Sequence, residues 1–277
     1  GDTFSQETAC AAPSFWEVET MKLYLKFLSI HFRSAMTYRA SFFLSCLGHL
    51  LITTNVFLSV VFLLDRFDAI GGYTLPQLSL CYSVILAATS LAECFGRGFD
   101  AFTRILAQAQ FDRIMVRPRP LFFQVLCQDM KPTMLARVLQ AAVMLVWAVP
   151  SGAVAWTPWK ALTLALMILC GSGLFFGLAL VNAGICFFTL EHVEALNIFV
   201  DGPREYGKYP FGIYGRPVLM VLTFLVPLAL VQHWPLQYLF DRGPAWYGLL
   251  PIASLLFLIP CFLLWRLGVR HYCSTGS

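Results

Sequence analysis

Apolar residues fill this chain in long runs, and polar residues gather in the short stretches between them. Four runs, 41–64, 161–188, 217–240 and 245–265, hold no Asp, Glu, Lys or Arg. Two more, 78–96 and 134–156, are broken only by Glu93 and by Arg137. Crossing about 30 Å of hydrocarbon takes roughly 20 helical residues. Backbone in lipid must satisfy its own hydrogen bonds, so runs of this length predict helices. The expected fold is all-α and polytopic, with six transmembrane helices at about 41–64, 78–96, 134–156, 161–188, 217–236 and 245–267. The fourth run exceeds one crossing, which predicts a tilt or an extension past the bilayer. It carries Gly173 and Gly177, then Ala183 and Gly184, small residues at a spacing that lets helices pack closely.

Composition agrees. The chain is 58% hydrophobic and only 12% charged, whereas a soluble domain is about one-quarter charged. Nine cysteines are scattered without a CxxC pair, and five histidines are equally dispersed. They read as buried apolar and isolated polar residues, with no disulfide frame and no metal site.

Charge sets the orientation. With six spans, one side collects Lys22, Lys26, Arg33, Arg39, the basic residues of 97–137, Arg204, Lys208, Arg216, Arg266 and Arg270. The other side holds Arg66, Lys160 and Arg242 alone. Lys and Arg favour cytoplasmic loops, so both termini are expected in the cytoplasm. The net charge of +4 follows from this bias and gives no sign of nucleic-acid binding.

Residues 1–20 carry Asp2, Glu7, Glu17 and Glu19 without Lys or Arg, unlike a signal peptide. They read as an acidic tail of little order, with Met21 a candidate natural start. Over 21–40, Lys22, Lys26, Ser29 and Arg33 recur at helical spacing with Leu25, Leu28 and Phe32 elsewhere around the helix. That pattern suits an amphipathic helix along the inner membrane surface, or simply the beginning of the first span. Residues 41–270 form the permeation domain, and 271–277 a cytoplasmic tail.

The segment between the second and third spans concentrates seven of the nineteen basic residues. Phe99, Phe102 and Leu106 recur at i, i+3 and i+7, which predicts a short helix. Pro118 and Pro120 then stop it, because proline lacks the amide donor and restricts the residue before it. A helix with arginines and apolar anchors, ended by a stiff elbow, suits docking of a soluble partner. Phe111, Asp112, Arg113, Ile114, Met115, Arg117 and Pro118 are the candidate contact surface.

Polar groups within the spans are few. Glu93 is the only acidic residue well inside one, where an ionised group costs at least ~2.5 kcal/mol. It is either a cation or proton site, or a group near the cytoplasmic end paired with Arg97 one turn on. His49, Thr53 and Asn55 make the first span unusually polar. They suit a translocation path or a helix interface equally. The cluster "CGSGLFFG" at 170–177 lacks the glycine two before Ser172 that a serine hydrolase motif would need, and reads as helix packing.

Four stretches carry a family resemblance: "MTYRASFFL" (36–44), "IGGYTLPQLSLCYSVI" (70–85), "QFDRIMVRPRPLFFQVL" (110–126) and "YPFGIYGRPVLMVLTFLVPLALVQHWP" (209–235). Their order and spacing resemble a permease subunit of the type-two ABC exporter family, in the six-span branch associated with drug-resistance exporters. The resemblance covers about residues 21–270. It implies pairing with a second permease copy or a related permease chain, and two cytoplasmic ATPase subunits carrying ATP and Mg. It implies that the loop between spans two and three is a coupling helix, and that 189–216 adds a second contact. It also implies that 233–251 is partly re-entrant. The sequence itself has no GxxxxGK[ST] loop, since no lysine precedes Ser or Thr, so no cofactor is expected in this chain and nucleotide chemistry would fall to the partner. Hydrophobic or amphipathic substrates suit the apolar spans. Two other readings remain: a single-component ion- or proton-coupled carrier using Glu93, and a membrane scaffold that transports nothing.

Overall fold

The computed structural model describes residues 13–67, 72–151, 154–189, 202–209, 211 and 215–272. Among the described residues the α-helices follow in chain order: α1 Pro13–Thr37, α2 Arg39–Phe67, α3 Leu75–Asp100, α4 Phe102–Ala107, α5 Gln110–Met115, α6 Leu121–Leu126, α7 Leu135–Ala148, α8 Pro158–Cys186, α9 Gly202–Tyr206, α10 Arg216–Phe224, α11 Leu228–Val231, α12 His233–Leu239, α13 Leu250–Ser254 and α14 Leu258–His271. No strand occurs among the described residues. The fold is an all-α polytopic membrane fold.

Among the described residues, four stretches are long and apolar enough to cross a membrane: Arg39–Phe62, Leu75–Ala107, Pro158–Cys186 and Ala245–His271. They overlap the first, second, fourth and sixth expected spans. The other two depart from expectation. The third is a shorter apolar helix, Pro132–Ala148. Pro150 cannot donate to the preceding turn and ends it, and the indole of Trp156 donates to the freed Val149 carbonyl at 3.0 Å. The fifth is broken: Pro217–Phe224 and Leu228–Leu239 meet at 87°. The break falls at Pro227, which lacks the amide that a continuous helix would need there. The bend thus comes earlier than the segment 233–251 expected to re-enter.

α3 is the axis of the bundle. It is enclosed by α7 and α8, and 78% of its apolar window is buried against 11% for α2. α2 is therefore peripheral. α3 starts cleanly because Thr74 and Gln77 form a capping box, with the Thr74 amide donating to Gln77 Oε1 at 3.2 Å. Its small residues Ser79, Ser83, Ala88 and Ser90 are fully buried and admit neighbouring helices closely. The glycines of α8 act as the sequence suggested. A Cβ on Gly171 would press on Ala88 of α3, and one on Gly173 or Gly177 on Leu255 or Leu258 next to and within α14.

α1 begins at Pro13, inside the segment read as a loose tail; residues 1–12 lie outside the described residues. From Met21 on, its Tyr24, Phe27 and His31 face the protein. Tyr24 donates to the Phe95 carbonyl at 3.1 Å, His31 meets the Cys127 carbonyl at 3.0 Å, and Phe27 packs edge-on against Phe123. Lys22, Lys26 and Arg33 are exposed beside Leu25 and Phe32. Phe32 and Phe42 touch at 6.2 Å, although ten residues of straight helix rise about 15 Å, so the chain turns at Tyr38 between α1 and α2. The C-terminal tail beyond Tyr272 lies outside the described residues.

Candidate functional site

The loop that concentrates the arginines is ordered as three short helices. α3 passes through Ala101 into α4, and the turn at Gln108–Ala109 reverses into α5, with Ala109 left-handed at φ 53°. Pro118 and Pro120 then separate α5 from α6. The elbow is fastened by Gln124, whose amide donates to the Arg119 carbonyl at 2.8 Å. At the start of the loop, Gly98 lies so close to α6 that a Cβ there would collide with the Val125 carbonyl.

Under α5 lies an aromatic floor. The Phe111 ring meets Phe102 and Phe187 at 5.3 Å each and Tyr272 at 4.8 Å, all edge-to-face. Trp265 joins through Phe99, Phe102 and Phe187 at 5.1–5.3 Å. The Tyr272 hydroxyl donates to Asp112 Oδ1 at 3.0 Å. Burial, then that carboxylate, push the Tyr272 phenol above its ordinary value, so it remains a donor at neutral pH. The floor joins the loop to the ends of α8 and α14, an arrangement no local sequence pattern displays.

This geometry divides the expected contact residues. Phe111 is 0% and Ile114 2% exposed. These two do not belong to an outward surface, which corrects the sequence reading: helix periodicity turns them to the core. Asp112 is half-buried. Arg113, Met115, Arg117 and Pro118 are exposed, and so is Val116, which the sequence reading left out. Val116 is the most prominent apolar residue there, at 85% exposed.

The second constellation lies between α2, α3, α7 and α9. A cavity of about 290 Å³ is lined by His49, Thr53, Tyr82, Thr89, Glu93, Arg137, Arg204 and Lys208, with Ile52, Val56, Ile85 and Leu86 among its apolar walls. It brings together three of the four polar candidates. Asn55 points elsewhere and is exposed. Thr53 donates to Gln140 of α7, and Gln140 donates to Thr54 at 2.9 Å. Thr53 thus makes a helix interface within the chain while also facing the cavity.

Glu93 pairs with Arg137 at 3.0 Å and Arg204 at 3.8 Å. The expected partner, Arg97, instead meets Asp129 at 3.6 Å. Facing helices and a returning loop outcompete the neighbour one turn away. Arg204 also holds Asp100 at 3.0 Å, and Lys208 holds Glu205 at 2.6 Å. No group of His, Cys, Asp or Glu among the described residues could hold a metal ion.

The described residues thus combine helices of membrane-crossing length, a basic loop pinned to the bundle, and a polar cavity between α2, α3, α7 and α9. The family model described as "ABC-2 family transporter protein" matches residues 50–276, most of the chain. The chain belongs to the ABC-2 transporter family. It is thus a multi-pass ABC permease, a class that works with an ABC ATPase partner. No curated protein and no solved structure matches it. In this ABC-2 permease Arg137 and Arg204 went unrecognised from sequence as partners of Glu93. Arg137 did stand out as the only charge in its apolar run. Arg204, 111 residues from Glu93 in the chain, gave no signal.

Proposed function

We propose that this permease subunit exports a hydrophobic or amphipathic substrate across a bacterial inner membrane, with both termini cytoplasmic. Its energy comes from a separate cytoplasmic ATPase, which carries the ATP and Mg, and it works paired with a second permease chain. The ATPase docks on the corner formed by Arg113, Met115, Val116, Arg117 and Pro118. One observation carries this reading: an exposed corner with an apolar tip and flanking arginines sits on an aromatic floor shared with α8 and α14. A force applied at such a corner moves helices, whereas a floppy loop would absorb it. Phe111, Asp112 and Ile114 act from below as its fastening.

The alternative carrier, working alone on Glu93, fits less well. Glu93 is only 12% exposed in its side chain and lies between two guanidinium groups. Neutralising it would cost Arg137 its carboxylate partner, while Arg204 keeps Asp100, and that loss opposes a cycle of proton uptake and release.

The deciding experiment is a gentle-detergent pull-down with mass spectrometry, on wild type and on Arg113→Glu/Arg117→Glu. Recovery of an ATPase with a phosphate-binding loop, lost in the double variant while membrane insertion persists, is the expected result. Transport by the purified chain without ATP would overturn the proposal.

A further inference from the structure

Every exposed side chain of α7 and of α8 is apolar, as a surface against lipid requires. α2 departs from that rule. Its Asn55 is exposed, and the side-chain amide has no hydrogen-bond partner among the described residues. The Ser59 hydroxyl donates to the Asn55 backbone carbonyl at 2.9 Å and leaves that amide alone. Thr54 beside it is exposed too, but Gln140 of α7 donates to it at 2.9 Å. Asn55 lies deep in the helix, about 24 Å from Arg39 and about 18 Å from Phe67 at 1.5 Å per residue. An amide in hydrocarbon without a partner is costly, so something polar must meet it there.

The residues around Asn55 say what does. Leu44, Leu51, Asn55, Leu58 and Phe62 follow one another in steps of seven, four, three and four residues. That is the spacing of a seam along which two helices wind together. The four apolar members are 42–70% exposed. At 3.6 residues per turn, Asn55 falls near the middle of the exposed arc of α2. Only 11% of the apolar window of α2 is buried, so the seam is uncovered by the chain itself. A single Asn in an otherwise apolar seam fixes register and partner number.

The depth of Asn55 selects the partner. Two copies inserted the same way round carry it at the same level in the bilayer. An amide both donates and accepts, so two of them related by an axis along the membrane normal satisfy each other. Lipid tails offer neither group. We propose that two copies of this chain pair in parallel through α2, with the Asn55 side chains hydrogen-bonded to each other. This names the surface for the pairing in the proposed function, on which its purpose rests, and makes that pairing one between identical chains. The contact itself needs no ATPase.

The test uses the full chain in its membrane, carrying Leu58→Cys on the seam or Leu139→Cys on the exposed face of α7, with the wild type as background for the native cysteines. Under mild copper-catalysed oxidation, Leu58→Cys should give a covalent dimer well above wild type and Leu139→Cys should not. The second measurement is energy transfer between labelled copies in lipid vesicles at increasing lipid-to-protein ratio. Two hydrogen bonds of the average strength found between membrane helices correspond to about a sevenfold change in dissociation constant. Asn55→Leu, which keeps the helix and removes only the amide, should weaken pairing by about that factor.

Equal cross-linking at Leu139→Cys would mean random collision and overturn the seam. An unchanged dissociation constant in Asn55→Leu would overturn the amide pair. Energy transfer absent at every ratio, with a related permease chain recovered instead, would overturn the identical partner. Recovery of an ATPase with a chain that pairs through another face would spare the export reading and sink this one. Pairing through α2 without a recoverable ATPase would do the reverse.

Discussion

Replacing Phe111 by Ala tests the distinction between what holds the corner and what the corner presents. Phe111 is 0% exposed and makes three edge-to-face contacts, with Phe102, Phe187 and Tyr272. Phe→Ala in a packed core costs about 3–5 kcal/mol, of which each aromatic pair supplies about 0.5–1.5 kcal/mol. α5 has only six residues and cannot persist without its floor. The loss should therefore appear as local opening of the loop, not as melting of the bundle. At about 1.4 kcal/mol per factor of ten, the lower bound of 3 kcal/mol raises the open population on the order of a hundredfold. Amide hydrogen exchange read on peptides from 102–118 should show that loss of protection, while the interior of α8 keeps its own. Val116→Ala is the control: at 85% exposed it should move protection by no more than about 0.5 kcal/mol. Unchanged protection of α5 in Phe111→Ala would refute the aromatic floor as its fastening. An equal fall in α8 would refute the loop as a separately opening unit.

Two further contrasts follow from close approaches in the fold. Gly98→Ala should lower the Tm by several degrees, because its Cβ has to displace the backbone of Val125, whereas Gly48→Ala, with nothing within 4 Å, should leave it unchanged; equal effects would remove the case for tight α3–α6 packing. Lys160 is 4% exposed and held by both carboxylate oxygens of Asp241 at 2.8 Å, with Tyr238 at 6.0 Å as its other support. Asp241→Asn leaves an ammonium group buried and should cost about 1–2 kcal/mol, a figure reduced because the Asp241 side chain is 66% exposed and screened. Lys160→Met replaces the charge with an apolar chain and should cost less; thermal unfolding in one detergent that ranks the two the other way would refute the reading.

Sequence periodicity exposes what depends on one element at a time. Apolar runs, four of the six free of charge, mark the expected segments, since hydrocarbon thickness sets the length that a crossing needs. Prolines set where they end, yet their weight was underestimated. Pro150 shortened the third segment and Pro227 broke the fifth, because hydropathy averages over a residue that removes a backbone donor. The arginine-rich loop was legible as a short helix and an elbow. Its inner face was not, because Phe111 and Ile114 look like anchors for any apolar surface. Only the arrival of Phe187 from α8 and of Trp265 and Tyr272 from the C-terminal end decides that the surface is the chain's own. Glu93 taught the same lesson with charge. A pair one helical turn away is the nearest in sequence, but Arg137 and Arg204 come from other elements.

The two constellations meet at the last turns of α3. Glu93 faces the cavity, Asp100 holds Arg204 beside it, and between them Phe99 packs on Phe122, Phe176 and Trp265 at 4.9–5.4 Å. Phe99 is fully buried, and only Ala101 separates its helix from α4. Well-packed aromatic contacts transmit displacement because close-packed interiors compress little. A push on the corner at Val116 reaches the floor through Phe111 and reaches Phe99 through Trp265. From there one turn of helix leads to the ion pairs that close the cavity's charged end. Such a route carries signal only if the ion-paired end has two arrangements, and its elements differ in how readily they can supply one. Glu93–Arg137 joins two helices packed face to face. Arg204 sits on the five-residue helix α9, with Lys208 two residues beyond its end, and Arg204 ties that helix to α3 through Glu93 and Asp100. Were α9 the element that moves, drawing it away would part Arg204 from Asp100 and Glu93 and open the charged end of the cavity, while the Glu93–Arg137 pair between α3 and α7 stayed in place.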